Sequence, residues 1–153
     1  MKTLAQVLLG CALATVPVIA WADPVPAPRA AGVQKAPLRL MVVHANHSGS
    51  VDPRVADIAR RFQDRGFTGF KLLSDQSQTL ALGQAGGFSV EGNRRVQATV
   101  IELAAATAKV RIQTFAGGEK QFDTTVTLTR DKAFLMAGSS YLDGKLIFAI
   151  TVD

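Results

Sequence analysis

The chain has 153 residues, 48% of them hydrophobic and 19% charged, with a formal net charge of +5 at pH 7 and one cysteine. A lone cysteine excludes an internal disulfide framework and a multi-thiolate metal site, and the length sets the expectation of one domain held by its apolar core. The positive balance favours acidic partners, but no block of five or more basic residues marks a nucleic-acid tail, so no nucleic-acid partner is expected.

The chain opens with Lys2, then an apolar run from Leu4 to Ala20 broken by Gln6 and Thr15, then Ala20-Trp21-Ala22. This order of charged, apolar and small-x-small residues reads as a secretory signal peptide over residues 1–22, cut after Ala22. A spanning helix needs about 20 apolar residues, whereas here Pro17 precedes a cleavage site, so the product is not expected to be transmembrane. Leu8-Leu9-Gly10-Cys11 also looks like a lipobox. The apolar run, however, continues through Ala12-Leu13-Ala14, which favours cleavage after Ala22 over a lipid anchor on Cys11. The expected location is the periplasm or outside the cell.

Residues 23–37 (DPVPAPRAAGVQKAP) hold four prolines among alanines and read as an extended tether, leaving 38–153 as a single β-rich domain. Leu38 to Ala45 reads as the first strand, with Leu38, Leu40, Val42 and His44 on one face. Asp52-Pro53 supplies a capping oxygen and a first-turn proline. Val55, Ile58, Ala59 and Phe62 follow at helical spacing, and Gly66 stops the helix.

After Gly66 the apolar period falls to two. Phe67 to Leu73 reads as a strand, Gln78 to Leu82 as another or its continuation after a bulge, and Gly86 to Val90 as the next. Glu91-Gly92-Asn93 turns the chain into Arg95 to Leu103, and Ala104 to Thr107 is a turn. Gly117-Gly118 joins Lys109–Phe115 to Gln121–Thr129 in a hairpin. Ala133 to Ala137 and Lys145 to Val152 complete the set. The fold class is mainly β (α+β): an antiparallel sandwich or partly open barrel with one amphipathic helix near the start of the domain.

Candidate chemistry is sparse. His44 and His47, with Asp52 nearby, are the one metal-like cluster, but strand residues three apart face opposite ways and no further histidine completes a shell. Ser48, Ser50, His47 and Asp52 crowd one loop without a nucleophile elbow. Glu91, Glu102 and Glu119 lie near turns or on alternating faces, not as a pair across a cleft, and Gly83 to Gly87 lacks the Gly-Lys-Ser/Thr ending of a phosphate loop. No catalytic residue, metal or cofactor is assigned.

Arg54, Arg60, Arg61 and Arg65 decorate the helix among Asp57 and Asp64, with Asp57 four residues before Arg61. Arg54, Arg61, Arg65, Arg94 and Arg95 are the candidate contact surface for another envelope protein or an anionic envelope surface.

The segments Asp52-Pro53-Arg54-Val55-Ala56-Asp57-Ile58, Phe70-Lys71-Leu72-Leu73, Asp123-Thr124-Thr125-Val126 and Tyr141 to Ile147 (YLDGKLI) together resemble a group of small exported bacterial proteins. The resemblance covers most of the chain from about residue 40, implies a bacterial envelope setting, and carries over no catalytic residue. The expected function is a non-enzymatic envelope module acting by contact, with an exposed strand edge as one means. The alternative is a binder of small hydrophobic ligands or lipids within the sheet interior, lined by Phe70, Phe88, Phe115, Phe122, Phe134 and Phe148.

Overall fold

The computed structural model describes residues 34–153; the expected signal peptide, the Cys11 alternative and the tether through residue 33 lie outside the described residues. The strands are β1 (Lys35–Asn46), β2 (Gly69–Ala81), β3 (Ala85–Val90), β4 (Arg94–Leu103), β5 (Thr107–Ala116), β6 (Glu119–Thr129), β7 (Phe134–Tyr141) and β8 (Gly144–Val152). Between β1 and β2 lies α1 (Ala56–Phe62), extended at each end by a tighter helical turn, Pro53–Val55 and Gln63–Arg65. The strands form two antiparallel four-stranded sheets, ordered β2-β1-β8-β7 and β3-β4-β5-β6. The fold is a mainly-β open sandwich with one helix.

The first sheet is covered on both faces, and its sequence carries the mark of it. Toward the second sheet, Leu38, Leu40 and Val42 of β1 pack with Phe88, Val96, Val110 and Ile112. On the opposite face, Val43 and Ala45 of β1 and Ile147 and Ala149 of β8 receive Val55, Ile58, Ala59 and Phe62 of the helical segment. Alternation therefore gives way to the unbroken buried runs Val42–Ala45 and Leu146–Ile150. Each fully buried large aliphatic or aromatic side chain stabilises the fold by about 1.5–3 kcal/mol.

The helix starts and stops as its sequence predicts. Asp52 Oδ1 accepts from the Arg54 amide at 3.0 Å, Pro53 occupies the first turn, and Gly66 ends the segment at φ +87°. Only a residue without a Cβ takes that left-handed turn freely.

Three boundaries are settled by the structure. β1 begins at Lys35, not Leu38, because Ala36 is buried in the core. Pro37 is accommodated at the end of the sheet, where its carbonyl accepts from the Asp153 amide at 3.1 Å. Second, of the two readings for residues 67–82 the continuation after a bulge holds: in β2 Val42 pairs with Ser74 but Val43 with Leu72, leaving Leu73 as the extra residue. The bulge exchanges the faces of the strand, so Phe70 and Leu72 join the helix cluster while Leu80 enters the inter-sheet core. Third, β7 continues to Tyr141 through a register break between Ala137 and Ser140.

Candidate contact surfaces

The five arginines of the expected surface fall into two groups in different layers. The helix sits against the face of the first sheet that points away from β4, so Arg54, Arg61 and Arg65 are not brought together with Arg94 and Arg95. Arg54 is occupied: its Nε and Nη2 donate to the two carboxylate oxygens of Asp52 at 3.0 and 2.7 Å. These bonds, with the Arg54 amide, hold the Asp52 pKa down at about 2. Asp57 meets Arg60 at 3.4 Å and not Arg61, while Arg65 lies 5.5 Å over the Phe62 ring.

Arg94 is half-buried and bonded within the fold. Its Nε donates to Ser139 Oγ at 3.0 Å, its Nη1 to the Glu91 carbonyl at 3.3 Å and its Nη2 to the Ser140 carbonyl at 2.9 Å. Its guanidinium stands 5.6 Å from the centre of the Tyr141 ring. A β4 side chain thereby ties the second sheet to β7 of the first. Arg95 is exposed and lies 5.3 Å over Phe115.

The other candidates resolve into structural roles. His44 is 5% exposed, with Nε2 3.2 Å from the Tyr141 carbonyl and 3.4 Å from Asp143 Oδ1. His47 instead stacks on Phe67 at 5.6 Å. The two imidazoles do not converge, and among the described residues no group of three or more His, Cys, Asp or Glu side chains could hold a metal ion. Ser48 Oγ accepts from the Ser50 amide within the loop, and Glu102 pairs with Lys109 at 2.9 Å.

The six phenylalanines do not line one cavity. Phe70 packs beneath the helix, Phe88 and Phe148 are in the inter-sheet core, and Phe122 is 44% exposed. Phe115, Phe122 and Phe148 do converge on a cleft of about 250 Å³ that also touches Arg94, Met136 and Gly138. Gly138 makes that wall: a Cβ there would stand 2.5 Å from the Phe148 ring.

The sheet edges are unequally protected. Gln76 and Gln78 of β2 donate to the carbonyls of Ser89 (2.6 Å) and Gly87 (2.7 Å) on β3, fastening those two edges to each other with side chains. The start of β2 is covered by the preceding loop, where Asp52 and Phe70 amides bond to Phe70 and Ser50 carbonyls, both at 2.8 Å. β7 is interrupted by its register break, and Arg94 bonds Ser139 and Ser140 beyond it, while Phe134–Ala137 pairs with β8 alone. β6 carries an extra residue, Gln121, where its register with β5 shifts. Near it Asp123 accepts from Arg111, Gln113 and Lys120, which holds its carboxyl well below the usual carboxylate range.

The second half of β6 has none of these devices. Thr124-Thr125-Val126-Thr127-Leu128-Thr129 contains no charge, proline or glycine, pairs on one side with β5, and exposes Thr125, Thr127 and Thr129. Bulges, charges, proline and covering elements are the usual protections of an edge strand. The alternating threonines could have pointed to this edge in the sequence, but nothing there ranks β6 last in its sheet.

A two-sheet sandwich whose β6 edge carries an open, threonine-rich run is the class of protein that the fold and these surfaces define; among the described residues no helix is long and apolar enough to cross a membrane. No protein-family model, curated protein or solved structure matches the chain.

Proposed function

We propose that this chain is an exported, non-enzymatic module of the bacterial envelope that acts by contact, adding a strand of another envelope protein to the edge of β6. The observation that carries the reading is the asymmetry of protection. Glutamines and a loop guard β2 and β3, and a register break with Arg94 guards β7 beyond Ala137, whereas among the described residues Thr124–Thr129 is a six-residue run of edge without a guard, longer than the four residues Phe134–Ala137 of β7. Main-chain hydrogen bonds would give such a contact its affinity, and the exposed threonines its side-chain register.

The reading of residues 1–22 as a signal peptide and the resemblance to small exported bacterial proteins support the envelope setting. A protein partner is favoured over an anionic surface because Arg39, Arg54 and Arg111 are each engaged by an aspartate of the same chain, and Arg61 and Arg65 on the helix lie in a different layer from Arg95 on β4.

The test is a double substitution on the edge, Thr125→Glu with Thr127→Glu. These positions lie opposite Arg111 and Lys109, so the fold tolerates the new charges while the edge is blocked. Loss of the partner complex with an unchanged melting curve supports edge pairing. Retention of the complex at unchanged affinity contradicts it.

A further inference from the structure

Beyond the edge contact and independent of it, we infer that the cleft between β7 and the second sheet is a binding site for a single-chain anionic amphiphile: an unbranched alkyl chain ending in a carboxylate.

Arg94 supplies the charge argument. A guanidinium has five donors, and three N–H groups of Arg94 are used on Ser139 Oγ, the Glu91 carbonyl and the Ser140 carbonyl. All three acceptors are neutral, and Glu91 contributes its backbone oxygen, not its carboxylate. No carboxylate lies within ion-pair distance of Arg94 among the described residues, in contrast to Arg39, Arg54 and Arg111. Two N–H groups remain, one on each terminal nitrogen, as donors for an anion's oxygens, and Arg94 lines the cleft. The three existing bonds fix the guanidinium in place, so little side-chain freedom is lost when an anion arrives.

The walls supply the rest. Beside Arg94 and the exposed Arg95 the cleft is lined by the apolar side chains of Val96, Phe122, Met136 and Phe148, and Phe122 leaves much of its ring uncovered. At about 250 Å³ the space falls just below the usual ~300–1,000 Å³ of small-molecule pockets, which suits one chain and not a two-chain lipid. Gly138 is what leaves room for the Phe148 ring at the cleft wall.

The experiment is isothermal titration of the purified protein, expressed from the full-length gene, with decanoate and with decan-1-ol, both below micelle-forming concentrations. Saturable 1:1 binding of decanoate at least tenfold tighter than decan-1-ol is expected. Arg94→Gln should weaken decanoate at least tenfold and leave decan-1-ol within twofold. Phe122→Asp, at an exposed position that does not endanger the fold, should also weaken decanoate more than the alcohol. Equal affinities for the two probes, or no saturable decanoate binding, would overturn the inference. So would folded variants that bind decanoate as the parent does. If Arg94→Gln does not fold, Phe122→Asp decides. The Thr125→Glu, Thr127→Glu protein should bind decanoate normally, so this inference and the edge reading fail separately.

Discussion

Arg94 of β4 stands 5.6 Å over the ring of Tyr141 on β7 and bonds the backbone of the adjoining Ser140, so one side chain joins the two sheets on the β7 side as Gln76 and Gln78 join them along β2 and β3. His44 meets the same tyrosine from β1, with ring centres 5.4 Å apart at a near-perpendicular angle. Tyr141 is therefore where three strands are pinned at one end of the sandwich.

Replacing Arg94 by Met removes three hydrogen bonds and the cation over the ring while keeping the aliphatic stem. Hydrogen bonds to charged groups contribute about 1.5–3 kcal/mol when buried, and partial exposure of this one lowers that, so a loss of about 1–2 kcal/mol is expected. Urea unfolding should show a lower midpoint with an unchanged slope.

Phe88→Ala and Phe122→Ala should differ sharply. Phe88 is 2% exposed in the inter-sheet core, and truncation there should cost about 3–5 kcal/mol. Phe122 is 44% exposed, and its truncation should stay within about 0.5 kcal/mol. Equal losses in the same urea titration would mean that Phe122 belongs to the core after all.

Acid should weaken the helix start through Asp52. Its folded pKa of about 2 lies below the unfolded value, so its ion pair with Arg54 contributes stability above about pH 4, and this is lost as the pH falls toward 2. Asp52→Asn keeps a capping oxygen but removes the charge. It should flatten the fall in melting temperature between pH 4 and 2, and high salt should shrink the difference between the two proteins.

Gly144→Ala probes the close approach of the β7–β8 turn to β1. An added Cβ would collide with the Ala45 carbonyl and crowd Asn46 Cα at 3.1 Å, both backbone atoms that cannot swing aside. A loss of about 3 kcal/mol is expected, read as a drop in urea midpoint. Gly117→Ala meets nothing within 4 Å and carries only its φ of +59°, so it should cost much less.

Much of this fold was legible because its local signals agree with its long-range packing. The hairpins announced themselves through Glu91-Gly92-Asn93 and Gly117-Gly118, and the helix through Asp52-Pro53 and Gly66. The apolar density of Leu38–Ala45 marked a strand, yet periodicity could not say that α1 would cover one face. Ala36 and Pro37 looked like tether because proline seldom lies inside a sheet; only the carbonyl of Pro37 shows why it is tolerated there. The surfaces were harder to read. An arginine at the start of a strand carries no mark of turning inward to Ser139 and Ser140, and the exposure of Phe122 beside the extra residue Gln121 is a property of the folded hairpin.

The central claim is the open edge of β6, and the direct measurement is photo-cross-linking in intact cells that export the protein, with a photoreactive residue at Thr127 in one strain and at Ser89 in another. Both positions are exposed, but the carbonyl of Ser89 is capped by Gln76 whereas Thr127 sits on the unguarded edge. A saturable adduct with one envelope protein is expected from Thr127, absent from Ser89 and lost when Thr125 is changed to Glu. An exported, folded protein that gives no adduct from Thr127, or equal adducts from both positions, would contradict it.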